Sequence, residues 1–441
     1  MLPPQLPDRP TRLLCLSNGH GEDAIAVQIL QALQQQPQPP KLFALPIVGA
    51  GHAYTHRGIP LTGPVKTMPS GGFIHQDGRQ LARDVQGGLV KLTLEQVRAV
   101  RSWAREGKED SSLILAVGDV VPLAMAYLSG ANFAFVGTAK SEYYVRDEGG
   151  MLSRSSWWDD RLERWTGCVY LPWERWLLSR RRCRAVFPRD ELTAETLRRS
   201  TVPALALGNP MMDGLESIAP RPDRDRNLLI DHFDRSIDRS TVALLPGSRI
   251  PEAYANWQQI LLAVAGVMQQ FKEPCFLAAI APGLDRAVLQ AALVAHGWQP
   301  SLDGVPGFPD PIAAVYHLQQ ATLVLSQAFS DCLHWSDWAI AMAGTATEQF
   351  VGLGKPAFIL PGEGPQFTPG FAEAQTRLLG ESVILVSPAE VGFQAKELLQ
   401  ASDRLQRIAE NGRRRMGEAG AAQRIAQRIA QSIVELGQEA V

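Results

Sequence analysis

Apolar positions along the chain gather into short runs that end at glycine and give way at once to a helical period. Arg12 to Ser17 reads as a buried strand, Asn18-Gly19-His20-Gly21 as its turn, and Glu22 to Gln34 as a helix with Ile25, Ile29, Leu30 and Leu33 on one side. Lys41 to Val48, closed by Gly49-Ala50-Gly51, predicts a second strand. Ser112 to Val117, closed by Gly118-Asp119, predicts a third, followed by a helix over Val120 to Leu128. Between them a glycine-rich piece, Pro69 to Phe73, reads either as a closing loop or as an ordinary surface loop, and Leu81 to Glu106 reads as a long helix.

After the proline- and charge-rich stretch Ala219 to Arg226 the rhythm restarts. Strands are expected at Thr241 to Leu245, Cys275 to Ile280, Asp337 to Ala343, Pro356 to Leu360 and Ser382 to Val386. Helices are expected over Tyr254 to Phe271, Leu284 to His296 and Thr347 to Leu353, and Pro388 to Leu436 is helical almost throughout. Immediate strand-to-helix succession predicts the α/β class, with parallel sheets whose carboxyl strand ends form the working edge. The expected organisation is an α/β domain over 1–215, a connection over 216–240, a second α/β domain over 241–420 facing the first across a cleft, and a terminal helix over 421–441 returning to the first.

With 441 residues, 45% hydrophobic and 20% charged, the chain is that of a soluble globular protein with more than one core. Forty-three Lys and Arg against forty-five Asp and Glu leave a net charge of −2, without the basic footprint that general nucleic-acid binding requires. Cys15, Cys168, Cys183, Cys275 and Cys332 are dispersed and read as free thiols of a reducing compartment. The apolar run Leu13 to Leu16 is too short for a signal peptide, and no run is long enough to span a bilayer. A cytoplasmic protein is expected, with peripheral attachment to the inner face of a membrane left open. His52, His56, His317 and His334 lack ligand spacing, so no metal is expected.

Arg154 to Arg184 changes the picture, because arginines there interleave with Trp157, Trp158, Trp165, Tyr170, Trp173 and Trp176. Either a buried aromatic cluster is rimmed by arginine stems, or the rings sit at a lipid interface. In the second case Trp157, Trp158, Trp173 and Trp176 meet the membrane or a lipid acceptor, and Arg180, Arg181 and Arg182 meet anionic headgroups.

Two glycine-bearing turns in the second half could hold an anion. In Pro246-Gly247-Ser248-Arg249, glycine frees the backbone, Ser248 donates and Arg249 neutralises phosphate, although a tight turn with a surface arginine fits equally. In Ala343-Gly344-Thr345-Ala346-Thr347-Glu348-Gln349, small residues open a helix N-terminus to an anion. Thr347 joins it or caps the helix, and Glu348 or Gln349 can accept from a ribose hydroxyl. In the first half, His20 and Asp119 are the candidate bases, unless His20 ties down its turn and Asp119 caps the next helix.

The motifs Leu244 to Arg249, Gly344 to Thr347 and Gly352-Leu353-Gly354-Lys355-Pro356, with Ala206 to Asp213, resemble those of lipid-A-disaccharide synthase-related glycosyltransferases, including their cyanobacterial and plastid-type relatives. The resemblance implies a GT-B fold of two Rossmann-like domains and hexosyl transfer from a nucleotide diphosphate sugar, UDP-linked, to a hydroxyl such as that of a lipid, with no cofactor besides this cosubstrate. It implies that Gly247, Ser248, Arg249, Gly344, Thr345, Ala346 and Thr347 hold the donor and that Asp119 is the general base. Gln366 and Glu373 to Gln375 resemble donor-side residues of peptidoglycan glycosyltransferases. The chain departs from the family pattern at Asn18 to Asp23, where a Gly-Glu-x-Ser-Gly-Asp turn is usual, and at Gln349, where an acid is usual. A UDP-N-acetylglucosamine 2-epimerase-like enzyme and a noncatalytic lipid- or protein-binding module on the same scaffold are the other readings.

Overall fold

The computed structural model describes residues 11–66, 89–107, 111–152, 166–218, 239–302, 308–362, 364 and 367–439. Trp157, Trp158, Gln366, the 69–73 piece and most of the 216–240 connection lie outside the described residues. The chain divides into two compact units, 1–213 with 418–441, and 214–417.

Unit 1 is built on β1 (Thr11–Ser17), β2 (Lys41–Pro46), β3 (Ser111–Gly118), β4 (Phe133–Gly137) and β5 (Cys183–Phe187). All pair in parallel, in the order β2-β1-β3-β4-β5. The strands are continuous apolar runs because both faces are covered by helices. These are α1 (His20–Gln34), α2 (His52–Thr55), α3 (Leu89–Glu106), α4 (Val120–Ser129), α5 (Pro172–Leu178) and α6 (Glu191–Arg198). Alternate strand residues feed two cores: Leu14, Leu16, Ile114 and Phe135 pack with Trp103 and Leu123, while Leu13, Cys15, Leu113 and Leu115 pack with Leu30 and Leu33. The chain's last helix, Ala421–Glu439, lays Ile425, Ile429 and Ile433 into the second core. Its first amides, on Gly420, Ala421 and Ala422, donate to the Asp213 carboxylate at 2.5, 3.1 and 2.6 Å, and Arg424 donates to the Leu207 carbonyl.

Unit 2 contains β6 (Thr241–Leu245), β7 (Cys275–Ala279), β8 (Gln299–Ser301), β9 (Ala314–Leu318), β10 (Ala321–Ser326), β11 (Trp338–Ala341), β12 (Ala357–Ile359) and β13 (Val383–Leu385). Their order is β8-β9-β10-β7-β6-β11-β12-β13; β10 to β13 form a parallel set, and β8 and β9 continue one edge antiparallel. The helices are α7 (Glu252–Gln270), α8 (Arg286–Ala295), α9 (Phe329–Trp335), α10 (Thr345–Gly352), α11 (Pro369–Leu379), α12 (Val391–Leu399) and α13 (Ser402–Met416). The hairpin β9–β10 is absent from the sequence expectation. Its tip, Gln319-Gln320, carries no glycine or asparagine signal, and Gln319 takes φ 54° instead. β5 is likewise missed, since Arg180 to Arg184 surround its start and mask the apolar run.

Candidate functional site

Counted along the chain, the parallel strands of unit 2 lie in the order 3-2-1-4-5-6, which reverses between β6 and β11. Loops leaving the carboxyl ends of such a pair turn to opposite faces and open a crevice between them. The two loops here are Pro246 to Arg249 and Met342 to Gly344, the turns singled out for anion binding. Asn256 of α7, buried beneath them, ties both together: its Nδ2 donates to the Pro246 carbonyl at 3.0 Å and the Met342 carbonyl at 3.2 Å. Gly247 takes φ 92°, and a Cβ there would stand 3.4 Å from the Met342 oxygen. Ser248 and Arg249 are exposed.

The amides of Thr345, Ala346 and Thr347 open α10 and so lack an intrahelical acceptor, and Gly344 has no side chain to cap them. A Cβ on Gly344 would approach the Phe371 ring at 3.3 Å. Gln375 of α11 braces this turn, donating from Nε2 to the carbonyls of Ala343 at 3.1 Å and Gly344 at 3.3 Å, while its Oε1 is buried with no hydrogen-bond partner among the described residues. Thr345 is exposed, Ala346 and Gln349 are half-buried, and Glu348 is buried. Thr347 is fully buried and donates to the Ala343 carbonyl at 2.5 Å, which fastens the turn from beneath. Lys355, within the glycine-bearing segment that follows, donates to the carbonyls of Leu333, His334 and Ser336 at 2.7, 2.8 and 2.7 Å and closes the carboxyl end of α9.

In unit 1 the strand order reverses between β1 and β3. Gly118, at φ 131°, lets the two loops close on one another: a Cβ there would meet Asn18 Cβ at 3.2 Å and Glu22 Cγ at 3.3 Å. Asp119 caps α4, accepting from the Val121 amide at 2.9 Å. Asp23 is buried, accepts from Ser17 Oγ at 2.5 Å, and Ser17 in turn accepts from Tyr54 at 2.5 Å, which pins the start of α1 to the end of β1. Glu22 is half-buried and lies 3.5 Å from the Thr138 hydroxyl just beyond β4. Burial first, then the Asp119 and Asp23 carboxylates, push its carboxyl above the ordinary range, against the hydrogen bonds of its own backbone and of Thr138. His20 opens α1, and its imidazole falls outside what the structure describes. Glu22 escaped the sequence reading because only the meeting of two loops nearly a hundred positions apart gives it this setting.

The Arg-Trp segment divides in two. Tyr170 is buried, and Arg175, Arg182 and Arg184 are half-buried with hydrogen bonds to the protein, Arg182 holding the carbonyls of Tyr127 and Ala131. Trp173 and Trp176 are 47% and 48% exposed, and Leu128, next to Tyr127 in α4, is 46% exposed. Trp176 meets Tyr127 edge-on at 5.6 Å, with the Arg180 guanidinium 4.4 Å above its ring. Arg180 and Arg181 are exposed. Among the described residues no group of three or more His, Cys, Asp or Glu could hold a metal ion, and no helix is long and apolar enough to cross a membrane.

No protein-family model and no curated protein matches the chain. Solved structures do. A Listeria monocytogenes protein described as a UDP-N-acetylglucosamine 2-epimerase superposes with a TM-score of 0.55 at 15% identity, over 96% of this chain and 97% of its own. MurG of Acinetobacter baumannii gives 0.52 at 13%, over 96% and 100%. UGT2 of Phytolacca americana, solved with UDP-2-fluoro-glucose and pterostilbene, gives 0.54 at 13%, over 96% and 99%. Such low identities speak for architecture alone, and with the two sheet orders they establish a two-domain α/β protein of the GT-B fold.

Proposed function

We propose that the protein is a hexosyltransferase that moves a sugar from a UDP-linked donor to the hydroxyl of a lipid-borne acceptor. One observation carries this reading: the two glycine-bearing turns leave adjacent strands at the reversal point of the unit 2 sheet and share Asn256 as their brace. Breaking a sugar–diphosphate bond puts charge on the leaving group, and Arg249 with the amides of Thr345 to Thr347 is suited to receive it. Gly247, Ser248, Gly344 and Ala346 contribute backbone and hydroxyl contacts. The buried Oε1 of Gln375 calls for a donor, which a ribose or sugar hydroxyl provides. Uridine is the proposed base because the plant enzyme of the same fold carries a UDP-sugar analogue. No metal or redox cofactor enters this chemistry.

The acceptor belongs to unit 1, where His20 and Asp119 stand at the reversal point nominated for acid–base work. Exposure of Trp173, Trp176, Arg180 and Arg181 supports a lipid surface as the acceptor's source, with the protein working peripherally at a cytoplasmic membrane face. Within this reading, lipid-A-disaccharide synthase-related enzymes remain the family whose motifs the chain resembles. A second reading, epimerisation of UDP-N-acetylglucosamine, is favoured by the match to the Listeria protein. Incubation with UDP-N-acetylglucosamine, UDP-glucose and UDP-galactose separates them. Transfer predicts UDP release that increases with an added hydroxyl acceptor, whereas a new epimer in the proton NMR spectrum without acceptor selects the second reading. A folded protein that does neither contradicts both.

A further inference from the structure

We infer that Glu22 takes the proton of the acceptor hydroxyl and that Asp119 is its positioning neighbour. The inference rests on the transferase reading. At the β1–β3 reversal point Glu22 lies within electrostatic reach of two other carboxylates, and both of those are already engaged with the protein. Asp23 accepts from Ser17 within a buried chain that ends at Tyr54, and Asp119 accepts from the first turn of α4, the ordinary duty of an N-cap aspartate. Glu22 has a 3.5 Å contact with the Thr138 hydroxyl and an interaction with its own amide. Gly118 leaves the space its side chain occupies, so the carboxylate is set against the carboxyl edge of β3 and β4 rather than turned out to solvent.

The charges facing it are Asp23 from its own helix and Asp119 from the β3–α4 loop; across Thr138, whose carbonyl accepts from Arg189 at 3.4 Å, lies the guanidinium that follows β5. Two negative neighbours and burial make Glu22 a stronger proton acceptor than an open glutamate, closer to the working pH that acid–base catalysis favours. In the reaction the hydroxyl proton passes to Glu22, the oxygen lone pair forms the bond to the anomeric carbon, and the pair of the breaking carbon–oxygen bond leaves with UDP.

The test is UDP release from UDP-glucose, UDP-galactose and UDP-N-acetylglucosamine, with water and then methanol as the accepting hydroxyl, by wild type, Glu22→Gln, Glu22→Asp and Asp119→Asn. Glu22→Gln should bind UDP as wild type does and lose kcat by about 10² to 10⁴. Glu22→Asp should recover part of it. Asp119→Asn keeps an N-cap but removes a negative neighbour, so its acidic limb should move to lower pH. Wild-type kcat in Glu22→Gln overturns the inference, as does loss of turnover in Asp119→Asn with no movement of the limb. If Glu22→Gln does not fold, the partial activity and displaced pH profile of Glu22→Asp decide, and an unchanged profile overturns the inference. No UDP release by wild type from any of the three donors defeats the transferase reading itself, and Glu22's role with it.

Discussion

Glu22 sits where its charged form is disfavoured, and that has a sign. Its folded pKa lies above its unfolded one, so the native state holds the proton more tightly, and the stabilisation present at low pH is lost as pH rises through the folded value. Glu22→Gln should therefore raise the thermal midpoint near neutral pH, with the difference vanishing below the unfolded pKa. A lower midpoint for the variant at pH 7 would contradict the strain assigned to this residue. Asn256 makes the opposite case. Asn256→Ala strips two buried carbonyls on different loops of their donor, at about 1 to 3 kcal/mol for each group left unpaired. UDP affinity should fall together with the denaturant midpoint, and unchanged affinity would separate the brace from the site.

At the level of elements, the motifs legible in the sequence divide between open turns at strand ends and residues spent on scaffolding. The runs that became β1, β3 and β6 were readable because each is continuously apolar and stops at glycine or proline-glycine, the signature of strands covered on both faces. The turns at Gly247 and Gly344 were readable for the same reason. What could not be read was which side chains the fold consumes. Thr347 looks like a ligand-facing residue in the sequence, yet its hydroxyl goes to a carbonyl at a helix start, and Lys355, in the glycine-bearing motif that follows, spends its ammonium on carbonyls at a helix end. Asn256 carries no local signal, since its two partners lie 10 and 86 positions away. Lys355→Met should consequently cost stability, about 1.5 to 3 kcal/mol for charged hydrogen bonds lost, and leave UDP affinity unchanged once folding is ensured by temperature. Weakened UDP binding by a folded variant would instead place Lys355 at the donor site.

For the molecule as a whole, the near-neutral charge of −2 leaves any attraction to anionic surfaces local, at Arg180 and Arg181 beside the exposed Trp173 and Trp176. Flotation with anionic vesicles should depend on salt, because exposed charges are screened within about 10 Å at 0.1 M. Replacing both tryptophans by serine should reduce it without altering UDP affinity. Wild-type protein that floats with neither anionic nor neutral vesicles would remove the lipid-borne acceptor from the account. Alignment over 96% of the chain to structures only 13–15% identical shows that the architecture is shared where the residues are not, which is why architecture was legible and substrate was not. The layers follow from the hydrophobic pattern, whereas strand order is set by long-range pairing and specificity lies in single side chains at loop tips.

The central claim is that the reversal point of the unit 2 sheet binds a uridine diphosphate group, with Arg249 on the phosphates. Calorimetric titration of UDP and of uridine into wild type and Arg249→Ala tests it directly. Wild type should bind UDP, and the variant should lose about 1.5 to 3 kcal/mol for UDP, a charged hydrogen bond, while uridine binding changes little. Absence of UDP binding by folded wild type, or equal losses for UDP and uridine, would contradict the assignment.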